Sequence, residues 1–195
     1  MQIAARHVGA ASRARAGTVK PLSFESAESA ALSEEFQNSL VAIGAVSFAM
    51  EALDLELEGS GHQLAKSQFV APPGANRGFN VAQRLIQVFQ LDKKFAVGLP
   101  GKLQDLFELR NQSVHFKSVW RGGTKPHPSG TKTSEELSIF TLERSIEAIR
   151  LGREVFRECL ESVKLRYDPE ATDVVRELPG VLKMLDQVLT SEGIS

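Results

Sequence analysis

The residues best equipped for chemistry stand together in "LRNQSVHF", Leu109 to Phe116. An imidazole such as that of His115 titrates near neutrality and can take up or give a proton. A guanidinium such as that of Arg110 stays charged and offers a planar fork of donors to oxyanions. The amide of Asn111 can orient either by hydrogen bonding. The spacing brings these groups together. On a helix, Leu103, Leu106, Phe107, Arg110 and Val114 share one stripe, so Arg110 takes a position that periodicity assigns to the buried face and must find a partner there. Asn111 and His115 lie one turn apart on the neighbouring strip, within reach of Arg110. Two readings stay open: a polar cluster that performs chemistry, or an Arg110 that pairs with a carboxylate such as Glu51 while His115 caps or packs.

The elements that position this cluster are helical. Ser33 is expected to cap a long first helix in which Phe36, Leu40, Ile43, Val46 or Ser47, Met50, Leu53 and Leu57 recur every three or four residues. It should end before Gly59-Ser60-Gly61. A Pro72-Pro73-Gly74 loop precedes a second helix from about Asn80, with Val81, Leu85, Val88 and Phe89 on one face. Pro100 reads as a first-turn proline of the helix that carries the cluster, and Gly122-Gly123 as its stop. Residues 122 to 133 lack apolar side chains and should form an exposed loop. From Ser134 the longest helix follows, with its stripe of Ile139 or Phe140, Ile146, Ile149, Val155 or Phe156, Leu160 and Val163. Asp173 is expected to start a last helix, which Pro179-Gly180 must kink or split before Leu182, Leu185 and Leu189. No strand alternation or internal repeat is seen. The fold class is therefore all-α, a bundle of about five helices.

Composition agrees with one globular domain. The chain has 195 residues, 42% hydrophobic and 24% charged, with a net charge of −1 that predicts no overall pull toward nucleic acid. Two basic segments are hidden by that average. Arg6, Arg13, Arg15 and Lys20 lie among residues 1 to 30, read as a basic, mobile tail ahead of a single domain over 31 to 195. The apolar run at 40 to 50 is about half the length needed to cross a bilayer, so no membrane association is expected. The N-terminus lacks a secretory signal, and as a transit peptide it is only a weak match. A single cysteine, Cys159, fits a reducing, cytoplasmic setting.

"RNQSVH" at 110 to 115 resembles the Arg-Asn-x-x-x-His motif of HEPN-domain proteins, many of which are endoribonucleases. Residues 33 to 165 also resemble the order of that domain, in which the motif helix is followed by a loop and another long helix. Three such residues at fixed spacing occur by chance in a chain of this length about once in a hundred sequences. The resemblance implies a HEPN-like helical bundle and metal-independent cleavage of RNA by 2′-hydroxyl transesterification, with no cofactor. His115 would move protons, Arg110 would stabilise the charge on the phosphorane and Asn111 would orient them. It further implies a homodimer with the motif at or near a two-fold interface, so that one His115 acts as base and its mate as acid. A role in defence, toxin-antitoxin pairing or stress response follows from the same likeness, as does a regulatory protein partner. Some HEPN toxins carry a tyrosine two residues after the motif histidine. Lys117 stands at that position here, which weakens the toxin-antitoxin pairing in particular.

The segment after the motif adds Lys117, Trp120, Arg121, Lys125 and Lys132, with no acidic residue between Arg110 and Ser134. Cations of this kind hold a nucleic-acid backbone and an indole stacks on a base, which makes RNA the expected partner. The alternative is a solvated loop whose tryptophan packs on its own bundle. A different class of function also fits the motif: a non-catalytic HEPN-like module that binds nucleic acid, a nucleotide or a protein. His7, His62, His127 and Cys159 show no metal-ligand spacing, and "GLPGKL" at 98 to 103 lacks the form of a phosphate-binding loop. Glu51, Asp54, Glu56 and Glu58 read as a solvated face of the first long helix.

Overall fold

A computed structural model describes residues 1–19, 25–59, 72–114, 124–128, 132–165 and 176–191. Among these, the helices are α1 (Gln2–Val19), α2 (Glu25–Gly59), α3 (Arg77–Phe89), α4 (Lys93–Val114), α5 (Glu135–Ile139), α6 (Leu142–Leu165) and α7 (Leu178–Ser191). The fold is all-α, and among the described residues one hairpin, of β1 (Thr124–Pro126) and β2 (Lys132–Ser134), accompanies the helices. The 35-residue α2 is the spine. Its buried positions Leu32, Ala42, Ile43, Val46, Met50, Leu53 and Leu57 recur at helical spacing and meet α1, α3, α4, α5 and α6. No helix among the described residues is long and apolar enough to cross a membrane.

The N-terminal segment departs from expectation. Instead of a mobile tail, residues 2 to 19 form α1, which buries Ala4, Ala5, Val8, Ala11 and Ala14 against the bundle. Alanine costs nothing in side-chain entropy and lets α1 approach α2 closely, but it leaves a weak apolar signal in the sequence. The second long helix of the bundle also starts earlier than Ser33. Alanines at 27, 30 and 31 carry α2 back to Glu25, so Ser33 lies inside it.

α3 starts at Arg77, where the side chain of Asn76 accepts from the backbone N–H of Gly78 and Phe79, and Gln90 in the left-handed region (φ 47°) ends it. α4 begins at Lys93, because Asp92 Oδ1 accepts the Lys94 N–H at 2.9 Å. Pro100 therefore lies inside α4 rather than in its first turn, with no N–H to offer the carbonyl one turn back. Gly78 fixes the crossing of these two helices. A Cβ there would lie 2.2 Å from the Leu103 carbonyl oxygen, and Asn76 Nδ2 donates to the Gln104 carbonyl at 2.8 Å.

Two more expectations are corrected. The segment read as an exposed loop contains an antiparallel hairpin, with Thr124 opposite Ser134, Lys125 opposite Thr133 and Pro126 opposite Lys132, and it buries His127 at 5% exposure. The long helix expected from Ser134 breaks at Phe140–Thr141. Phe140 turns fully inward to meet the Phe36 ring edge-on at 5.5 Å, and Thr141 Oγ1 faces the Arg144 N–H as α6 begins. Pro179 stands in the first turn of α7, where it starts the helix instead of splitting one. Asp173 lies outside the described residues.

Candidate functional site

The buried stripe of α4, Leu99, Leu103, Leu106 and Phe107, aims Arg110 at α2 one turn later. Its side chain is 23% exposed and meets the carboxylate anticipated for it: Nη2 lies 3.4 Å from Glu51 Oε2. The guanidinium carbon also sits 5.0 Å from the centre of the Phe48 ring, a cation–π contact. Even so, Arg110 Nε is buried without a hydrogen-bond partner. The arginine is held in place while part of its donor fork is left unused.

Glu51 heads a ladder of charges along α2. Arg77 Nε lies 3.7 Å from Glu51 and Arg77 Nη2 donates to Asp54 at 2.7 Å, while Arg84 contacts Asp54 Oδ1 at 3.2 Å and ion-pairs with Glu58. The Arg84–Asp54 contact is electrostatic rather than a directed hydrogen bond, since neither atom completes bond geometry. Asp54 is fully buried and so departs from the solvated face expected of this stripe, whereas Glu56 and Glu58 are exposed as expected. Burial pushes the Asp54 carboxyl upward, against the pull of Arg84 and Arg77. The pairing had a signal in the sequence. Residues 51, 54 and 58 on one helix and 77 and 84 on the next each fall on one helical face with opposite sign.

Asn111 follows Arg110 in the last turn of α4 and is half-buried, and Ser113 Oγ donates to the Arg110 carbonyl at 2.5 Å. Structure thus brings Arg110 and Asn111 together. His115, Lys117, Trp120 and Arg121 lie outside the described residues. Lys125 is exposed on β1, and Lys132 sits in β2 opposite Pro126.

A second polar cluster escaped the sequence entirely. Glu35 on α2 is fully buried and accepts from Arg15 Nε at 2.7 Å, from Arg15 Nη2 at 2.5 Å and from the Leu142 N–H at 3.0 Å. Arg15 reaches on to Glu143 at 2.6 and 3.1 Å, and His127 Nε2 lies 3.6 Å from Glu35. One carboxylate therefore ties α1, the start of α6 and the hairpin together. Hydrogen bonding from Arg15 holds Glu143 down at about 2, and burial lowers His127 despite the nearby Glu35 charge. Glu35 precedes Glu51 by roughly 24 Å of helix at 1.5 Å per residue, so the hairpin that carries Lys125 is anchored well away from Arg110.

Between α4 and α6 runs an open cleft of about 610 Å³ with a floor that includes Leu106, Leu109, Ala148 and Leu151. Its rim carries Asp105, Glu108, Glu147 and Glu154 against Lys102, Arg144 and Arg150, a balance poorly suited to a polyanion. Among the described residues no group of three or more His, Cys, Asp or Glu is placed to hold a metal ion. Comparison with family models, with curated proteins and with solved structures finds no match to this chain.

Proposed function

We propose that this protein is a HEPN-like, metal-independent endoribonuclease that acts as a homodimer in the cytoplasm. The observation that carries the reading is Arg110, clamped by Glu51 and Phe48 at the last turn of α4 with Asn111 beside it and its side chain still 23% exposed. A guanidinium so placed keeps donors for a phosphate oxygen, and its position is already set.

In this scheme His115 removes the proton from a ribose 2′-hydroxyl, and the oxygen attacks the adjacent phosphorus. Arg110 stabilises the charge that grows on the phosphorane oxygens, with Asn111 orienting the phosphate. The bond from phosphorus to the 5′-oxygen breaks, and His115 of the second copy returns a proton to that oxygen. The products are a 2′,3′-cyclic phosphate and a 5′-hydroxyl. Lys117, Trp120, Arg121, Lys125 and Lys132 hold the strand outside the cleavage point. A nuclease of this kind belongs in defence or stress response, restrained by a protein partner.

A second reading has its own support. The contacts of Arg110 with Glu51 and Phe48 are also those of an arginine that only fastens α4 to α2, which suits a non-catalytic HEPN-like module binding RNA, a nucleotide or a protein. Incubation with mixed RNA in excess chelator separates the two. Cyclic-phosphate ends from the wild type, absent for His115→Ala and Arg110→Ala of unchanged far-UV dichroism, are expected. Cleavage that persists in folded His115→Ala would falsify the catalytic assignment.

A further inference from the structure

Glu51 is one carboxylate divided between two cations. Its Oε2 lies 3.4 Å from Arg110 Nη2 of α4, and its Oε1 lies 3.7 Å from Arg77 Nε of α3. Both separations exceed the roughly 2.7–2.9 Å of a tight charge-assisted pair, so neither guanidinium claims the carboxylate for itself. All three side chains reach water, with Glu51 26%, Arg110 23% and Arg77 35% exposed. Arg77 is anchored elsewhere. Its Nη2 donates to Asp54 Oδ2 at 2.7 Å, and Asp54 is fully buried. Its backbone is fixed as well: the preceding Asn76 caps α3 and donates to the Gln104 carbonyl at 2.8 Å, which ties the start of α3 to the helix that carries Arg110.

These contacts order the charges into a chain. From Arg110 it runs through Glu51, Arg77, Asp54 and Arg84 to Glu58, alternating in sign at every step. Each inner member has an opposite charge on either side, whereas Arg110 has Glu51 alone among the described residues. The chain therefore ends in a cation at the motif and in an anion at Glu58, seven residues and about 10 Å of helix beyond Glu51. Exposed charges about 8–10 Å apart are screened by water and salt, so the Glu58 end adds little to the field around Arg110.

We propose that Arg77 is a positioning residue for an RNA phosphate: it neutralises Glu51, so that Arg110 can turn its exposed edge to a phosphodiester without leaving a bare carboxylate beside it. The identity of that anion rests on the nuclease reading. With Arg110 as the sole partner of Glu51, the pair is neutral, and an approaching phosphate meets a carboxylate about as near as the guanidinium. With Arg77 on the other oxygen, two cations face one anion, and Glu51 keeps a partner while Arg110 shares its donors. Phe48 completes the arrangement, because the ring beside the guanidinium steadies Arg110 as its contact with Glu51 loosens. Arg77 itself touches no reacting atom and acts through Glu51.

Anisotropy of a fluorescent single-stranded 2′-O-methyl RNA, which has no 2′-hydroxyl to attack with, tests this on the full chain. Arg77→Gln should weaken binding about tenfold, and Arg77→Lys, which keeps the charge, by no more than about threefold. The double variant decides. Glu51→Gln removes the carboxylate that Arg77 serves, so Arg77→Gln/Glu51→Gln should bind within about threefold of Glu51→Gln alone. A residue that only fastens α3 to α2 gives no such rescue, because Asp54 loses the same contact in both backgrounds. Glu51→Gln by itself should bind at least as tightly as the wild type, a result that does not depend on the folding of Arg77→Gln. Far-UV dichroism accompanies each variant. A wild type that does not bind the strand, an Arg77→Gln that binds like the wild type, a double variant as weak as Arg77→Gln, or a Glu51→Gln weaker than the wild type each overturns the proposal. Products from unmodified RNA are scored separately. The expected binding pattern without cleavage sinks the nuclease reading alone, and cleavage without the rescue sinks the role of Arg77 alone.

Discussion

Replacing Glu35 by glutamine keeps the shape of the side chain and removes the one charge that α1, the hairpin and α6 share. Arg15 loses its most buried partner, the guanidinium being 13% exposed and the Glu35 carboxylate 1%. Breaking a buried pair by neutralising one side costs about 3–5 kcal/mol. Two features reduce that here. Arg15 keeps Glu143, and the amide oxygen of glutamine can still accept the Leu142 N–H. We expect about 2–3 kcal/mol, which for a domain of this size lowers Tm by roughly 4–12 °C. Urea unfolding followed by far-UV dichroism measures it. Glu143→Gln is the control, because that carboxylate is 48% exposed and should contribute at most about 1 kcal/mol. The double variant Arg15→Met/Glu35→Gln should cost less than the sum of its single changes, as no buried cation is then left behind. If Glu35→Gln proves as mild as Glu143→Gln, the carboxylate does not anchor α1, and the burial of Arg15 has been misjudged.

Three other outcomes follow from the same reasoning. Gly78→Ala should destabilise by about 2–3 kcal/mol in the same urea assay, because the new methyl meets the backbone of Leu103 and no flexible side chain can yield; a cost under about 0.5 kcal/mol would disprove the close crossing. Acid should weaken the fold in two windows. His127 has a lowered pKa, so the unfolded chain takes up its proton first, and the stability this group contributes is present above 6.5 and lost as pH falls through that value. Glu143, held at about 2 against an ordinary 4.5, contributes stability that is full above 4.5 and lost as pH drops toward 2. Thermal unfolding against pH should therefore show a step near neutrality that His127→Gln removes and an acidic one that Glu143→Gln removes. Arg110→Lys, finally, should reduce RNA cleavage about 10²-fold by losing the planar fork while changing stability by less than about 1 kcal/mol. Equal losses of both would mark Arg110 as a fastener only.

Periodicity in the chain alone established the all-α class and the inward faces of the major helices. Val81, Leu85, Val88 and Phe89 of α3 and Leu103, Leu106 and Phe107 of α4 are buried as their spacing demands, since a helical face depends on neighbours three and four residues away. The need of Arg110 for a carboxylate was legible for a related reason: a charge on a buried stripe cannot go unpaired, and Glu51 was within the helix expected opposite. Local signals misled where the deciding energy was not local. Alanines gave α1 little apolar contrast, so the close fit against α2 that orders it was invisible in the chain. Two three-residue strands are too short to show alternation, and the hairpin is pinned by His127 in the bundle. Arg15 meets Glu143 across 128 positions, and Glu35 caps the first turn of α6 across 107. Sequence determines which faces must be buried, because that is a matter of spacing along one helix. Which charges share a burial site is decided only when the helices cross, because the partner that offsets desolvation is chosen by distance in space.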